Sequence, residues 1–567
     1  MNWKLKEKVG KENTGLPKLH PVILQILLER GIDTSEKIND FLYPDYSKGL
    51  LDPFLFSAME KALKRIEKAQ KNKELVAIFG DYDADGVTSS IILKEALDAL
   101  GIKSTVYIPD RKIEGYGMNI KAVEEFKNQK TNLIIAVDCG ITNYKEIKKA
   151  NELGMDVIIV DHHYVPAKIP DAFAIINPHQ KKSGYPFPEL AGVGVTFKLV
   201  QGIYKKFFPD KADQLKWMLD IVAIGTVADC VPLIEENRII AKFGLIVLSK
   251  TKRVGLLELF QVARLEIDEN NIPNTRKISF QIAPRINAAG RMEHANTAFN
   301  LINEKNQPAA RSLALELEGN NQARQKATAQ IVDEVRILAN NMFRDKKFIF
   351  AVGEHFPIGI AGLAAGKIAD EFNKPVAILN KGKAESIGSF RSIPQVNIIE
   401  IIEKCSDFLV KFGGHRQAAG ITIKNDNLND FFEKFSEIIE DELKDKDISP
   451  VIKIDAELLP KDLDFELAES LRKFEPFGEG NEEPLFLMKN LEVSELRTVG
   501  SGEKHLKLSL KATDGTPKIF EAIGFNFING FSHLRIGDKV DTVFTISEDN
   551  WNGNKKIQLK LIDMKLL

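Results

Sequence analysis

Three aspartates fall at alternate positions in one short stretch, Ile78-Phe79-Gly80-Asp81-Tyr82-Asp83-Ala84-Asp85-Gly86. Alternate residues of an extended segment point the same way. Asp81, Asp83 and Asp85 therefore present like charge to one side, and such carboxylates do not stay ionised together without a cation. Divalent metal is the simplest remedy. A solvated turn that caps a helix needs only one acid, which leaves the other two without a purpose. Later stretches repeat the theme: Val137-Asp138-Cys139-Gly140, Val160-Asp161-His162-His163 and Thr226-Val227-Ala228-Asp229. Asp229 closes an apolar helical pattern, where the helix dipole disfavours negative charge unless a cation is close. Carboxylates mixed with imidazole suit Mn²⁺ or Mg²⁺ better than structural zinc. Alone, His162-His163 reads equally well as a hydrogen-bonded strand end; beside the acid clusters it reads as part of a metal site.

The elements that must hold these residues are legible around them. Apolar runs predict strands over 75–81, 104–109, 133–138, 156–161 and 174–177, with helices between the first four. A helix is expected from 57 to 72 and another from 88 to 100, closed by Gly101. That alternation is the pattern of a parallel doubly wound sheet, which binds ligands beyond the carboxyl ends of its strands. Three of the strands end on acid, at Asp81, Asp138 and Asp161. Helices are expected over 189–205 and 211–229, and a long polar connecting helix over 312–342. A second α/β unit starts near Lys347, with strands over 348–352 and 376–379 and a charged amphipathic helix over 425–446. From about Ile452 the texture changes to short alternating strands, with turn signals at Thr513-Asp514-Gly515-Thr516 and Asn552-Gly553, which predicts a small barrel.

The chain has 567 residues, too many for one core. Its net charge of −2 excludes a global basic field, so any nucleic-acid binding must use local grooves. Three cysteines without a CxxC pair argue against a disulfide framework or a cysteine-ligated zinc. The N-terminal stretch Met1-Asn2-Trp3-Lys4-Leu5-Lys6-Glu7 has no signal-peptide core, and no apolar run is long enough to span a membrane. A reducing cytoplasm is the expected address.

Asp161-His162-His163 resembles the signature of the DHH phosphoesterase superfamily. Over nearly its whole length the chain resembles that superfamily's bacterial single-strand-specific exonucleases. The match runs through Asp81 to Gly86, Asp138-Cys139-Gly140, Asp161 to His163, Thr226 to Asp229, the stretch from Pro284 to Arg291, Gly388 to Ser392, Gly413 to Gly420 and Pro476 to Asn481. The resemblance implies an α/β fold: an N-terminal accessory segment (1–55), a parallel-sheet DHH catalytic domain (56–311), a connecting helix (312–345), a DHH-associated α/β domain (346–446) and an OB-fold barrel (447–567). It implies 5′→3′ hydrolysis of single-stranded DNA with a two-metal Mn²⁺ or Mg²⁺ site, in recombination and repair. A helicase and a single-strand-binding protein are implied as partners, with no membrane, and a monomer is expected.

By the same resemblance the metal ligands are Asp83, Asp85, Asp138, His162 and Asp229, with Asp138 bridging two ions. Asp81 joins them where many relatives carry a histidine. Asp161 and His163 stand behind the ligands and contact the scissile phosphate. Two metals activate water and stabilise the leaving oxygen, so no protein nucleophile is required. Arg111, Arg285, Asn287, Arg291, Ser389, Arg391 and His415 are the candidates for holding the polyanion, since small residues let backbone approach phosphate and arginine grips it bidentately. A surface ion pair is the common alternative for each arginine. Tyr116 reads either as a base-stacking residue or as an ordinary loop aromatic. One departure is visible: where relatives often carry Trp-His before Gly359, this chain reads Phe356-Pro357-Ile358. Lys504, His505, Lys507, Trp551, Lys555 and Lys556 are expected on the strand-binding face of the barrel. Two rivals remain at this point, a phosphodiesterase for short or cyclic oligonucleotides and a catalytically inert DNA-binding scaffold.

Overall fold

The computed structural model describes residues 2–7, 15–111, 113–551 and 554–567. It divides into two units, a larger one of residues 51–232 and 236–448 and a smaller one of 1–50, 233–235 and 449–567.

The larger unit begins with a five-stranded parallel sheet in the order Ser104–Tyr107, Leu75–Gly80, Thr131–Val137, Asp156–Val160, Ala174–Ile176. Near-continuous apolar runs are what a sheet covered on both faces requires, and residues 76–79, 133–137 and 157–160 of the three central strands are fully buried, while edge strand Ser104–Tyr107 is only partly so. The register matters for function. Gly80 pairs with Val137, Val137 with Val160, and Val160 with Ile176. Four strands thus stop in line, and the next residue of each, Asp81, Asp138, Asp161 and Asn177, stands in one row along the carboxyl edge.

The helix after the first strand spans Ala84–Ala99, one turn earlier than its apolar pattern suggests. Asp83 caps it, accepting from the Asp85 and Gly86 amides at 3.0 and 3.1 Å. Gly86 allows the tight approach, because a Cβ there would lie 2.5 Å from the Asp81 carbonyl oxygen. The helix expected over 211–229 is two elements, a 3₁₀ stretch Pro209–Met218 and the buried helix Leu219–Ala228. Pro209 and the polar, exposed face of the first explain the break.

A 36-residue helix, Gln307–Met342, about 54 Å long at the usual rise, joins two cores. Its first half packs on helices Val254–Val262, Ala283–Met292 and Asn296–Asn303. Ile331, Val332, Val335 and Ala339 of its second half enter the core of the next lobe. That lobe has a five-stranded mixed sheet, ordered Leu409–Gly414, Ala418–Lys424, Glu385–Arg391, Val376–Lys381, Ile349–Gly353. Helices Ile358–Phe372 and Leu428–Glu442 complete it.

In the smaller unit, strands Phe486–Val499, His505–Lys511, Ile519–Gly524, Asn554–Leu566 and Lys539–Trp551 pair in that order, and the last closes back on the first to form a barrel. Residues near the N-terminus are part of this unit. Strand Asn2–Leu5 pairs in parallel with Val451–Ile454. Ile23, Ile26, Leu27 and Ile38 share one core with Phe486, Leu508 and Leu559. The Asn552-Gly553 turn and the side chains of Trp551 and Lys555 lie outside the described residues. Among the described residues no helix is long and apolar enough to cross a membrane.

Candidate active site

The row of strand-end residues is completed by two helices. Helix Gly192–Phe207 aims its first amides at Asp85: Gly192 N–H and Val193 N–H donate to the two carboxylate oxygens at 2.7 and 2.8 Å. Gly192 is a steric necessity, since a Cβ there would sit 2.3 Å from Asp138 Oδ1. Helix Leu219–Ala228 ends at Asp229, its C-cap. Asp138 itself has a left-handed backbone, φ 58°, a conformation that aspartate tolerates better than most residues.

His162 sits among three carboxylates. Its Nε2 is 3.3 Å from Asp138 Oδ1, 3.6 Å from Asp229 Oδ2 and 3.9 Å from Asp85 Oδ2. Ligand atoms around one ion at about 2.1 Å lie roughly 3 Å apart, so these groups need move little to share one. Three sets of ligand atoms each fall within 4.8 Å of one another: Asp81, Asp83 and Asp138; Asp85, His162 and Asp229; and Asp138, His162 and His163. Asp138 and His162 each recur in two of them.

The charges confirm the strain of the arrangement. Burial, then the charge of Asp83, raises the Asp81 carboxyl well above its ordinary range and lifts Asp85 to about 7. Burial and the neighbouring carboxylates raise Asp138 and push Asp229 up to about 9. Burial, with the charge of His163, pushes His162 down to about 4, which leaves it a neutral donor of an electron pair. Asp81 Oδ1, Asp138 Oδ1 and His162 Nε2 are buried with no hydrogen bond among the described residues. Each such atom costs on the order of 1–3 kcal/mol. Divalent cations held by these groups would satisfy such atoms and relieve the repulsion, so the residues present fit a metal site.

Asp161 is different. It is fully buried, and its carboxylate accepts from Ile141 N–H (3.0 Å), His162 N–H (2.8 Å), His163 N–H (3.1 Å) and His163 Nδ1 (2.7 Å). Burial acts to raise it, but the His163 bond and charge outweigh that and hold it below its ordinary value. For His163 burial acts downward, and the Asp161 carboxylate overrides it to lift the ring to about 9. The Tyr116 hydroxyl lies 3.3 Å from the same ring.

Beside the acids lies a group of arginines. The Arg111 guanidinium stands 5.0 Å over the Tyr82 ring. Arg291 donates to the Gly359 carbonyl at 3.0 Å across the two lobes, and burial with the charges of Arg111 and Arg324 pushes it down to about 10. Arg391, the last residue of the middle strand of the second sheet, is lowered by burial and by Arg111. None of these is ion-paired among the described residues. Arg285, expected as a phosphate contact, is instead paired with Glu318 of the connecting helix at 2.6 Å. Asn287 is turned to the acidic turn, where its Oδ1 accepts from Ala84 N–H at 2.7 Å. Ser389 sits two residues before Arg391, close to Gly362. His415 is at the exposed hairpin tip beyond Ala418, the register partner of Arg391. Phe356 is buried, and the neighbouring His355 pairs with Glu334 at 2.8 Å.

Three family models match in chain order: the DHH family N-terminal domain at 75–226, the DHHA1 domain at 345–441 and the RecJ OB domain at 454–563. The single-stranded-DNA-specific exonuclease RecJ of Bacillus subtilis is 36% identical over 568 residues, covering 99% of this chain and 70% of the relative. That of Haemophilus influenzae is 30% identical, with 96% of each chain covered. The chain belongs to the RecJ family. Among solved structures, Thermus thermophilus RecJ in complex with Mn²⁺ aligns with a TM-score of 0.82 at 26% identity, covering 100% of this chain and 79% of the other. The DHH domain, the associated domain and the OB barrel expected from sequence are thus the architecture of this chain.

Gly192 and Val193, which hold Asp85, are not among the residues expected from sequence, and the small-residue run Ala191-Gly192-Val193-Gly194 at a helix start is the signal for them. The linker stretch from Asn321 to Gln325 reads from sequence as interlobe packing first and DNA contact second, and its Arg324 lies near enough to Arg285 and Arg291 to feel their charge.

Proposed function

We propose that this chain is a metal-dependent exonuclease that hydrolyses single-stranded DNA 5′→3′ to mononucleotides in recombination and repair. The observation that carries the reading is the row of buried ligand atoms without hydrogen bonds on Asp81, Asp138 and His162, each belonging to one of three overlapping groups of potential metal ligands along the strand ends. Mn²⁺ or Mg²⁺ at a paired site supplies an activated water and neutralises charge on the scissile phosphate. Asp81, Asp83 and Asp138 hold one side of that site, and Asp85, His162 and Asp229 hold the other. Asp138, in the first set and 3.3 Å from His162 Nε2 of the second, would serve both. Asp161 orients His163 and keeps it cationic, so its ring meets the phosphate with a charge-assisted hydrogen bond.

Arg111, Arg291, Ser389 and Arg391 hold the strand, with Arg111 and Arg391 anchoring a terminal 5′-phosphate and thereby setting polarity. Arg285 joins them once it exchanges Glu318 for phosphate, and His415 reaches the backbone from the hairpin tip. Because both lobes must touch the substrate, a splayed single strand fits better than a duplex. A helicase that opens duplex DNA and a single-strand-binding protein that covers the product are the partners this demands. The proposal places a monomer in the cytoplasm, with the barrel binding strands without sequence preference.

Digestion of 5′- and 3′-labelled single strands with Mn²⁺, Mg²⁺ or chelator tests the reading. Release of labelled mononucleotide first from the 5′ end, abolished by chelator, is expected. Release first from the 3′ end, or turnover in chelator, overturns it.

A further inference from the structure

The crease between the connecting helix and the second lobe holds a cavity of about 300 Å³ that none of the metal-site acids lines. One wall is the connecting helix, through Arg324 and Gln325; the other is helix Ile358–Phe372, through Gly362, Gly366 and Lys367, with Arg391 at the inner end. The two glycines stand one turn apart on the same helix face. A Cβ on Gly362 would meet Arg391 Nη2 at 3.0 Å, so its absence lets the guanidinium lie against the helix. A Cβ on Gly366 would find only Arg391 Cγ, at 4.0 Å, so this position borders open space.

The lining is cationic and unspent. Arg324 donates to Asn321 Oδ1 at 2.9 Å, but its Nε is buried without a partner. Arg391 donates to the Phe390 carbonyl at 2.8 Å. Neither arginine nor Lys367 forms an ion pair among the described residues, and the single carboxylate of the lining is Asp370, exposed at the outer end. Three cations against one acid, around a space larger than one phosphate, favour an extended polyanion.

We propose that this cavity is a polyphosphate subsite that receives the β- and γ-phosphates of a strand bearing a 5′-triphosphate, the end left by synthesis begun without a primer. The proposal rests on the reading of Arg391 as the anchor of the terminal phosphate. Arg391 holds the α-phosphate, and Arg324, Gln325 and Lys367 meet the groups beyond it. A monophosphate end leaves the cavity unused, so recognition of the two ends separates at residues outside the anchor.

The test is strand binding by the full chain without divalent metal, so that no strand is cut. Oligonucleotides of one sequence carry a 5′-hydroxyl, 5′-monophosphate or 5′-triphosphate and a 3′ fluorophore. Wild type is expected to bind the triphosphate end about 3- to 10-fold more tightly than the monophosphate end, the range of one or two charge-assisted contacts at a partly exposed site. Lys367→Gln and Gly366→Met, which fills the cavity, should each erase that increment and leave monophosphate affinity unchanged. Inorganic tripolyphosphate should compete for wild type more strongly than for either variant. Equal affinity of wild type for the two phosphorylated ends, or equal losses on both in the variants, overturns the proposal. Competition by ATP that exceeds the triphosphate strand itself assigns the cavity to free nucleotides and overturns the strand-end form. Failure of the anchor shows separately, as Arg391→Ala losing affinity equally on hydroxyl and phosphate ends while tripolyphosphate binding at Lys367 persists.

Discussion

Two clusters of like charge lie side by side in the larger unit, and they are built in opposite ways. The acids Asp81, Asp138 and Asp161 occupy successive strand ends of one parallel sheet, so a single register places them. The arginines Arg111, Arg291, Arg324 and Arg391 come from a loop, two helices and a strand edge in two lobes. Asp81 and Asp138 crowd to within ligand distance and each keeps a buried oxygen without a hydrogen bond, while Asp161 behind them is fully hydrogen-bonded. The arginines stay apart, each tied to a carbonyl, an amide or a ring. Compact charges answer to a small ion and dispersed ones to an extended polyanion. The acid cluster is fixed mainly by the register of one sheet, whereas the arginine cluster, proposed above to hold the strand, depends on how the lobes meet along helix Gln307–Met342.

The sharpest way to break this contrast is Asp138→Ala. It removes the carboxylate that joins Asp81 and Asp83 in one ligand set and the two histidines in another, and turnover is expected to fall by at least about 10³-fold, in keeping with the several kcal/mol a catalytic metal supplies. The melting temperature without metal should hold or rise, because a buried, repelled carboxylate has gone. More than a modest residual rate in excess Mn²⁺ contradicts the shared role.

Arg391→Ala acts on the other cluster. Affinity for a 5′-phosphorylated strand is expected to drop about 10- to 100-fold, the worth of a charge-assisted contact, with a much smaller loss on a 5′-hydroxyl strand. Equal losses make Arg391 a general backbone contact.

Asn287→Ala probes the seam between the clusters, since Asn287 holds the amide at the start of the acidic turn. The half-saturating Mn²⁺ concentration should rise about fivefold, equivalent to one hydrogen bond of roughly 1 kcal/mol, with strand affinity unchanged. The reverse pattern restores the direct substrate contact that sequence reading assigned to it.

The smallest effect is expected in the barrel, where two of the basic residues share one carboxylate. Lys507 and Lys556 lie 3.3 and 2.9 Å from Glu521. Glu521→Gln should free both and tighten strand binding about two- to threefold at low salt, the size of a surface ion pair, and the gain should vanish at high salt. A salt-independent change would indicate altered barrel packing.

The acid row was legible because each member follows an apolar run that can only be a buried strand. The helix at Ala84 began earlier than expected because Asp83 caps it and Gly86 resembles a turn from sequence alone. Arg285 shows the limit for the basic cluster: its motif marks it as phosphate-binding, yet its partner Glu318 lies 33 residues away on the connecting helix. For Arg324 the local pattern ranks interlobe packing above a DNA contact for the same reason. The N-terminal helices gave no sign that they complete the barrel core, since Ile26 and Leu27 meet residues more than four hundred positions later. Local pattern predicts elements; it does not say which distant element covers a given face.

The central claim is that the strand-end acids form a paired metal site with Asp138 between its halves. Counting bound Mn²⁺ per chain by titration, with electron paramagnetic resonance to detect spin coupling, tests it most directly. Wild type should bind two ions with the coupled spectrum of a bridged pair, and Asp138→Ala should lose the coupling along with turnover. Two coupled ions retained in Asp138→Ala, or a single ion in an active wild-type chain, would contradict the account.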